Sequence, residues 1–151
     1  MIGNPAATIL EDLVETLEDG REGFQRAAEK LGDDGYPDLA RRMTQFSDQR
    51  ARLSAELREI ALTEGIDIAD EGSVVGTLHR GWMTLTDTLS GEDPHAVLAA
   101  AETGEDHAVD EFERALHSDD LPVDWRPVIV AQADAVRSAH DEVRALRDQT
   151  Q

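Results

Sequence analysis

One carboxylate in this chain falls where the helical pattern predicts a buried position. Glu105 lies between Ala101, Ala108 and Phe112, in the middle of an apolar stripe with helical spacing. A buried carboxylate needs charged or hydrogen-bonding partners, because an isolated charge is costly to remove from water. Any chemistry at this position therefore depends on which groups pair with Glu105.

Four other polar side chains lie within or beside apolar stripes near the middle of their helices: Arg21, Arg50, Gln132 and His140. With Glu105 they predict a polar layer across the core. Arg50 or Arg21 could donate paired hydrogen bonds to Glu105, and Gln132 and His140 could satisfy what remains. An arginine there would repel a divalent cation, so we expect a structural salt bridge with no metal, cofactor or catalytic residue. The alternative left open is an iron or manganese site using Glu105, His140 and Gln132.

A second group of polar residues lies on a predicted short helix, in the run His79, Arg80, Gly81 and Trp82. Trp82 continues an apolar stripe and is expected to dock this helix on the core, and Gly81 permits close approach. The alternative is that His79 and Arg80 form a small anion or partner site beside Trp82.

An acidic pattern occurs twice in the chain. The run Glu18-Asp19-Gly20-Arg21-Glu22 returns as Glu102-Thr103-Gly104-Glu105-Asp106, each time inside a helical apolar pattern. This predicts two related helical hairpins. Helical projection predicts that three acids of the first copy face water: Glu18, Glu22 and Glu29. It predicts boundary or surface positions for three acids of the second copy: Glu102, Asp106 and Glu113.

The elements that must position these residues are four long helices. Start signals at Asn4-Pro5, Tyr36-Pro37 and Asp93-Pro94 open the first three, and the last helix carries Trp125 and runs to the C-terminus. The long connection from Ile66 to Asp93 holds the short helix, and strand patterns are absent. A long crossover between the second and third long helices is typical of ferritin-like bundles. We therefore expect one all-α domain over residues 1–151: a ferritin-like four-helix bundle with an additional short helix in the crossover.

Composition narrows the possible partners. The 151 residues carry 33 acids against 14 bases, a net charge of −19, and no cysteine. Such a surface repels phosphate backbones and anionic membranes, so nucleic-acid and membrane binding are not expected. The absence of a leader or long apolar run predicts a cytoplasmic protein. Expected partners are cations, basic proteins or further copies of the chain.

Several short motifs resemble those of a bacterial family of ferritin-like four-helix-bundle proteins of unknown function. They are Asp19-Gly20-Arg21-Glu22-Gly23-Phe24, Gln49-Arg50, His79-Arg80-Gly81-Trp82, Gly104-Glu105-Asp106 and His140-Asp141. The resemblance implies a ferritin-like fold but no established activity and no assigned metal ligands. The chain departs from the wider ferritin-like pattern, with Gln49 and Arg50 where a Glu-x-x-His is expected and Arg137 in the carboxylate's place before His140.

The sequence thus predicts a non-catalytic interaction or stress-associated protein without a functional di-metal centre, acting through a protein partner or as a dimer. No phosphate-binding glycine loop or nucleophile elbow is present. The alternative is a metal-binding oxidoreductase or iron-handling protein.

Overall fold

The computed structural model describes residues 4–68, 82 and 93–150, and these residues form four helices. The helices are α1 (Pro5–Asp33), α2 (Pro37–Glu64), α3 (Pro94–Leu116) and α4 (Arg126–Gln149). Within the described ranges there is no strand. The predicted all-α chain with four long helices is confirmed, whereas the predicted short helix of the crossover lies outside the described residues, except for Trp82.

Local sequence accounts for where the helices begin and end. The side chain of Asn4 accepts hydrogen bonds from the backbone of Ala6 and Ala7, and Asp93 caps α3 in the same way. All four helices have a proline in the first two positions, where its missing N–H costs nothing. Helix α2 ends at Gly65, which has a φ of 71° that a residue without a Cβ adopts readily.

The core contacts fix the directions of the helices. The apolar stretch from Leu10 to Leu17 in α1 shares a core cluster with Leu57 in the C-terminal half of α2 and Phe112 in the C-terminal half of α3. Helix α1 is therefore antiparallel to both α2 and α3. It follows that α2 and α3 run in the same direction.

Helix α4 completes the bundle by packing against α3 and α2. The amide of Gln132 donates to the carbonyl oxygen of Leu53, and Arg42 pairs with Glu142 near the other end of the same two helices. Because the residue numbers rise in α2 as they fall in α4, these two helices are antiparallel. The four helices thus pack in the cyclic order α1, α2, α4, α3.

The buried apolar residues divide into two clusters along the bundle. One contains Phe24, Phe46 and Val97 and the other contains Leu17, Leu57 and Phe112. Between the clusters the α2 and α3 positions that face inward are polar, and this is the level of the candidate site. No helix of the described residues is long and apolar enough to cross a membrane.

Candidate functional site

A buried salt bridge joins α2 to α3 between the two apolar clusters. The two terminal nitrogens of Arg50 donate to the two carboxylate oxygens of Glu105, each at 2.6 Å, and neither side chain is exposed to solvent. This paired geometry satisfies both carboxylate oxygens at once. Glu105 is thereby bound to a fixed cation of the protein itself.

Three neighbours hold the Arg50 side chain in this position. Its Nε donates to the amide oxygen of Gln49 at 3.3 Å, and its guanidinium carbon lies 5.2 Å from the ring centroid of Phe24. A Cβ added at Gly20 would lie 3.1 Å from a terminal nitrogen of Arg50. The first glycine of the acidic repeat therefore makes room for the guanidinium.

The other residues predicted for the polar layer lie elsewhere. Arg21 bonds to Glu18 through its Nε at 2.9 Å and does not face Glu105. The amide nitrogen of Gln132 donates to the Leu53 carbonyl oxygen and, at 2.8 Å, to Glu56. His140 bonds to the acids of another cluster, described next. The five predicted residues therefore do not form one network, because each helix presents its polar group at a different height or to a different neighbour.

His140 lies with acidic residues at the contact between α3 and α4. Its Nε2 is 2.6 Å from Oδ1 of Asp106 and 3.9 Å from Oε2 of Glu102, and its Nδ1 is 3.1 Å from Oδ1 of Asp141. Donor atoms of Glu102, Asp106 and His140 all lie within 4.8 Å of one another. We call these three residues the seam cluster. It brings His140 together with two acids that were not predicted as its partners.

Two arginines also reach the seam cluster. Arg144 donates to Glu102 at 2.8 Å, and Arg147 pairs with the other oxygen of the same carboxylate. The hydrogen bond that Arg144 donates to Glu102 raises the pKa of Arg144 above its ordinary value. Glu102 is therefore the most heavily paired carboxylate of the cluster.

Two of the acids that the helical projection placed at the surface or boundary are buried. Glu18 is 3% exposed and accepts a 2.6 Å hydrogen bond from Ser54 of α2, while Glu102 is 6% exposed. The prediction that Glu18 faces water is wrong, and Glu102 lies deeper than the boundary position expected for it. The projection assumed one buried stripe for α1, whereas this helix packs against both α2 and α3.

Trp82 is buried between Gly23 of α1 and Gly104 of α3. A Cβ added at Gly23 would lie 2.3 Å from the indole, and one added at Gly104 would lie 2.2 Å from it. The Phe24 ring meets the indole edge-on with centroids 5.0 Å apart. The expected docking role of Trp82 is consistent with these contacts, whereas His79, Arg80 and Gly81 lie outside the described residues.

A groove of about 520 Å³ lies between the C-terminal end of α2 and the start of α4. We call it the end groove. Its apolar lining includes Ile60, Trp125 and Val128, and Leu62 at its edge is 83% exposed. Every charged residue among its described lining is an acid: Glu56, Glu59, Glu64 and Asp124. The groove thus combines an apolar surface with negative charge.

The seam cluster and the end groove were missed at the sequence level for the same reason. Glu102 and Asp106 are one helical turn apart, a spacing the sequence shows, but the sequence does not show which residue of α4 faces them. The end groove depends in turn on how a loop packs against the end of a distant helix. Each of these two features is formed by residues from two elements, so the pattern of a single helix does not predict it.

The comparisons with known proteins give a family but no activity. Residues 5–118 match the model of a family described as a domain of unknown function, DUF2383, and no curated protein matches the chain. The match spans α1, α2 and α3 and most of the chain. The chain therefore belongs to the DUF2383 family, whose domain has no known function.

Proposed function

We propose that this protein is a non-catalytic, ferritin-like bundle that binds a basic, partly apolar protein segment in the end groove. The observation that carries the proposal is the lining of that groove, which combines four acids with the apolar side chains of Ile60, Leu62, Trp125 and Val128. Apolar contact supplies affinity for such a segment, and the carboxylates favour lysine and arginine beside its apolar residues.

The connectivity supports the ferritin-like part of the proposal. Helices α2 and α3 run in the same direction, so the chain between them must cross over rather than turn back in a short loop. One such crossover within a four-helix bundle is the ferritin-like arrangement.

The bundle interior supports the absence of a di-metal centre. Both oxygens of Glu105 are engaged by Arg50, whose charge opposes a divalent ion at the same level. The alternative of an iron or manganese oxidoreductase using Glu105, His140 and Gln132 has less support. Gln132 bonds to Leu53 and Glu56 rather than toward Glu105.

The net charge of the whole protein also favours binding of a basic partner. A net charge of −19 attracts cationic partners at long range and raises their rate of encounter. Such attraction alone is not specific, because any basic peptide would experience it. The end groove adds to this charge the apolar side chains of Ile60, Trp125 and Val128 and the 83% exposed Leu62.

The test is a binding titration with a fluorescent amphipathic peptide of leucine and lysine at helical spacing. We expect Leu62→Ser to weaken binding at least tenfold, because about 1.5–3 kcal/mol of apolar burial is lost. The matched control is Val130→Ser, which removes a partly exposed valine from another position on α4. Binding should also persist in part in roughly 1 M salt, where the screening length is about 3 Å.

Two outcomes contradict the proposal. Equal effects of Leu62→Ser and Val130→Ser would mean that the peptide binds the acidic surface generally. Light scattering that shows a dimer in the wild type and a monomer in Leu62→Ser would mean that the groove is covered by a second copy of the chain.

A further inference from the structure

His140 faces a carboxylate at each of its two ring nitrogens. Asp141 lies at Nδ1, and Asp106 lies at Nε2. A neutral imidazole has a single N–H, so it can donate to only one of these acids and would turn a lone pair toward the other. A cation at one ring nitrogen, either a second proton or a metal ion, removes that conflict.

The surroundings of Nε2 supply further metal ligands. Oε2 of Glu102 lies 3.9 Å away and Oδ1 of Asp106 lies 2.6 Å away, so one nitrogen and two carboxylate oxygens converge from two helices. The His140 side chain is only 10% exposed, which fixes its direction, whereas the Asp106 side chain is 60% exposed. The His140 side chain is thus held in place, whereas the Asp106 side chain can change its torsion angles on the solvent side.

We propose that Glu102, Asp106 and His140 form a mononuclear site for a divalent first-row transition ion. An imidazole nitrogen with two carboxylate oxygens suits zinc, iron or manganese better than calcium or magnesium, which prefer all-oxygen sites. The site lies at the contact between α3 and α4, apart from the end groove and from the Arg50–Glu105 pair. It is independent of the proposed partner binding.

Asp141 acts in this site as a positioning residue. A histidine that binds a metal through one nitrogen usually donates from the other nitrogen to a carboxylate or carbonyl oxygen. The 3.1 Å contact between Nδ1 of His140 and Asp141 supplies this second bond and leaves Nε2 as the ligand atom. With the metal on Nε2, the proton of the imidazole lies on Nδ1, where Asp141 accepts its hydrogen bond.

Metal binding requires a small movement at Asp106. Tetrahedral zinc bonds of about 2.1 Å hold two ligand atoms about 3.4 Å apart, so Asp106 must withdraw slightly from Nε2. Its exposure allows this change of side-chain torsion without disturbing the core. Oε2 of Glu102, at 3.9 Å from Nε2, must move slightly closer.

The arginines at Glu102 compete with the ion. Arg144 is bonded to the same oxygen, Oε2, that would ligate the metal. Since a guanidinium and a divalent ion cannot share that oxygen without repulsion, binding must displace Arg144 toward water, where its side chain is already 54% exposed. Removing Arg144 should therefore increase the affinity for the metal ion.

The first experiment titrates chelator-stripped full-length protein with Zn²⁺ by calorimetry and with Co²⁺ by visible absorption. We expect one ion per chain, with Mn²⁺ bound more weakly than Co²⁺. Asp106→Asn should weaken binding at least tenfold, and Asp141→Asn by about ten- to hundredfold. Asp110→Asn is the matched control, since it removes an exposed acid one turn further along α3.

The second experiment removes the competitor. Arg144→Gln should tighten Zn²⁺ binding, whereas Arg137→Gln, which removes an arginine paired with Glu113, should leave the affinity near that of the wild type. The proposal is overturned if no ion binds at one per chain. It is also overturned if Asp106→Asn and Asp110→Asn act equally, or if Arg144→Gln fails to tighten binding more than Arg137→Gln does.

Discussion

The Arg50–Glu105 pair offers the sharpest test of how the bundle interior is built. Both side chains are fully buried and joined by two 2.6 Å hydrogen bonds. Removing one partner of such a pair leaves an uncompensated charge in the core, which costs about 3–5 kcal/mol. For a chain of this size we expect Glu105→Ala to lower the melting temperature by about 6–20 °C.

The double replacement separates the charge from the packing. Arg50→Met combined with Glu105→Leu removes both charges and keeps apolar side chains in the space, a change that is often neutral or stabilising in other buried pairs. We expect the double variant to recover most of the stability that each single variant loses. The coupling free energy between the two sites should therefore be several kcal/mol.

Chemical denaturation of the wild type, the two single variants and the double variant measures this coupling. The control is Arg41→Ala, because the Arg41–Asp38 pair is 2.9 Å long but lies in water, with side chains 66% and 91% exposed. We expect it to change stability by less than about 1 kcal/mol. Additive losses in the double variant, or a loss below about 1 kcal/mol in Glu105→Ala, would refute the account of a paired, desolvated charge.

Two further predictions concern packing and pH. Gly104→Ala should destabilise the protein by about 1–3 kcal/mol in thermal melts, because the new Cβ overlaps Trp82. The control is Gly32→Ala, whose new Cβ would lie 3.7 Å from its nearest neighbour. It should be neutral or stabilising by up to about 1 kcal/mol. Arg42 holds the pKa of Glu142 below its usual range, chiefly through a hydrogen bond. The stabilisation from this pair is therefore present above the unfolded pKa of about 4.3 and lost as pH falls through the lower folded value. Glu142→Gln should cost about 0.2–1 kcal/mol at neutral pH, and a difference from wild type that persists at acidic pH would contradict this origin.

The helices could be predicted from the sequence because their signals are local. Asn4 and Asp93 cap the helices they precede, and Gly65 ends α2 through its own backbone conformation. The burial of Glu105 was also visible, since its apolar neighbours lie on the same helix. Each of these inferences needs information from a single turn or a single helix.

The partners across helices could not be predicted, because they depend on relative height and rotation. The sequence left both Arg50, within its apolar stripe, and Arg21, beside its stripe, as candidate partners of Glu105. The structure places Arg50 there because α2 runs parallel to α3 and brings this residue between the same two apolar clusters. Arg21 turns back to Glu18 on its own helix.

The acidic repeat shows why a shared pattern need not carry a shared site. Glu22 and Asp106 occupy the same place in the two copies. In the first copy Glu22 pairs along its own helix with Arg26 at 2.7 Å, whereas in the second Asp106 reaches across to His140 of α4. The repeat supplies both acids, but the neighbouring helix determines which side chains they contact. A ligand set can therefore exist in the second hairpin without a counterpart at the same position of the first.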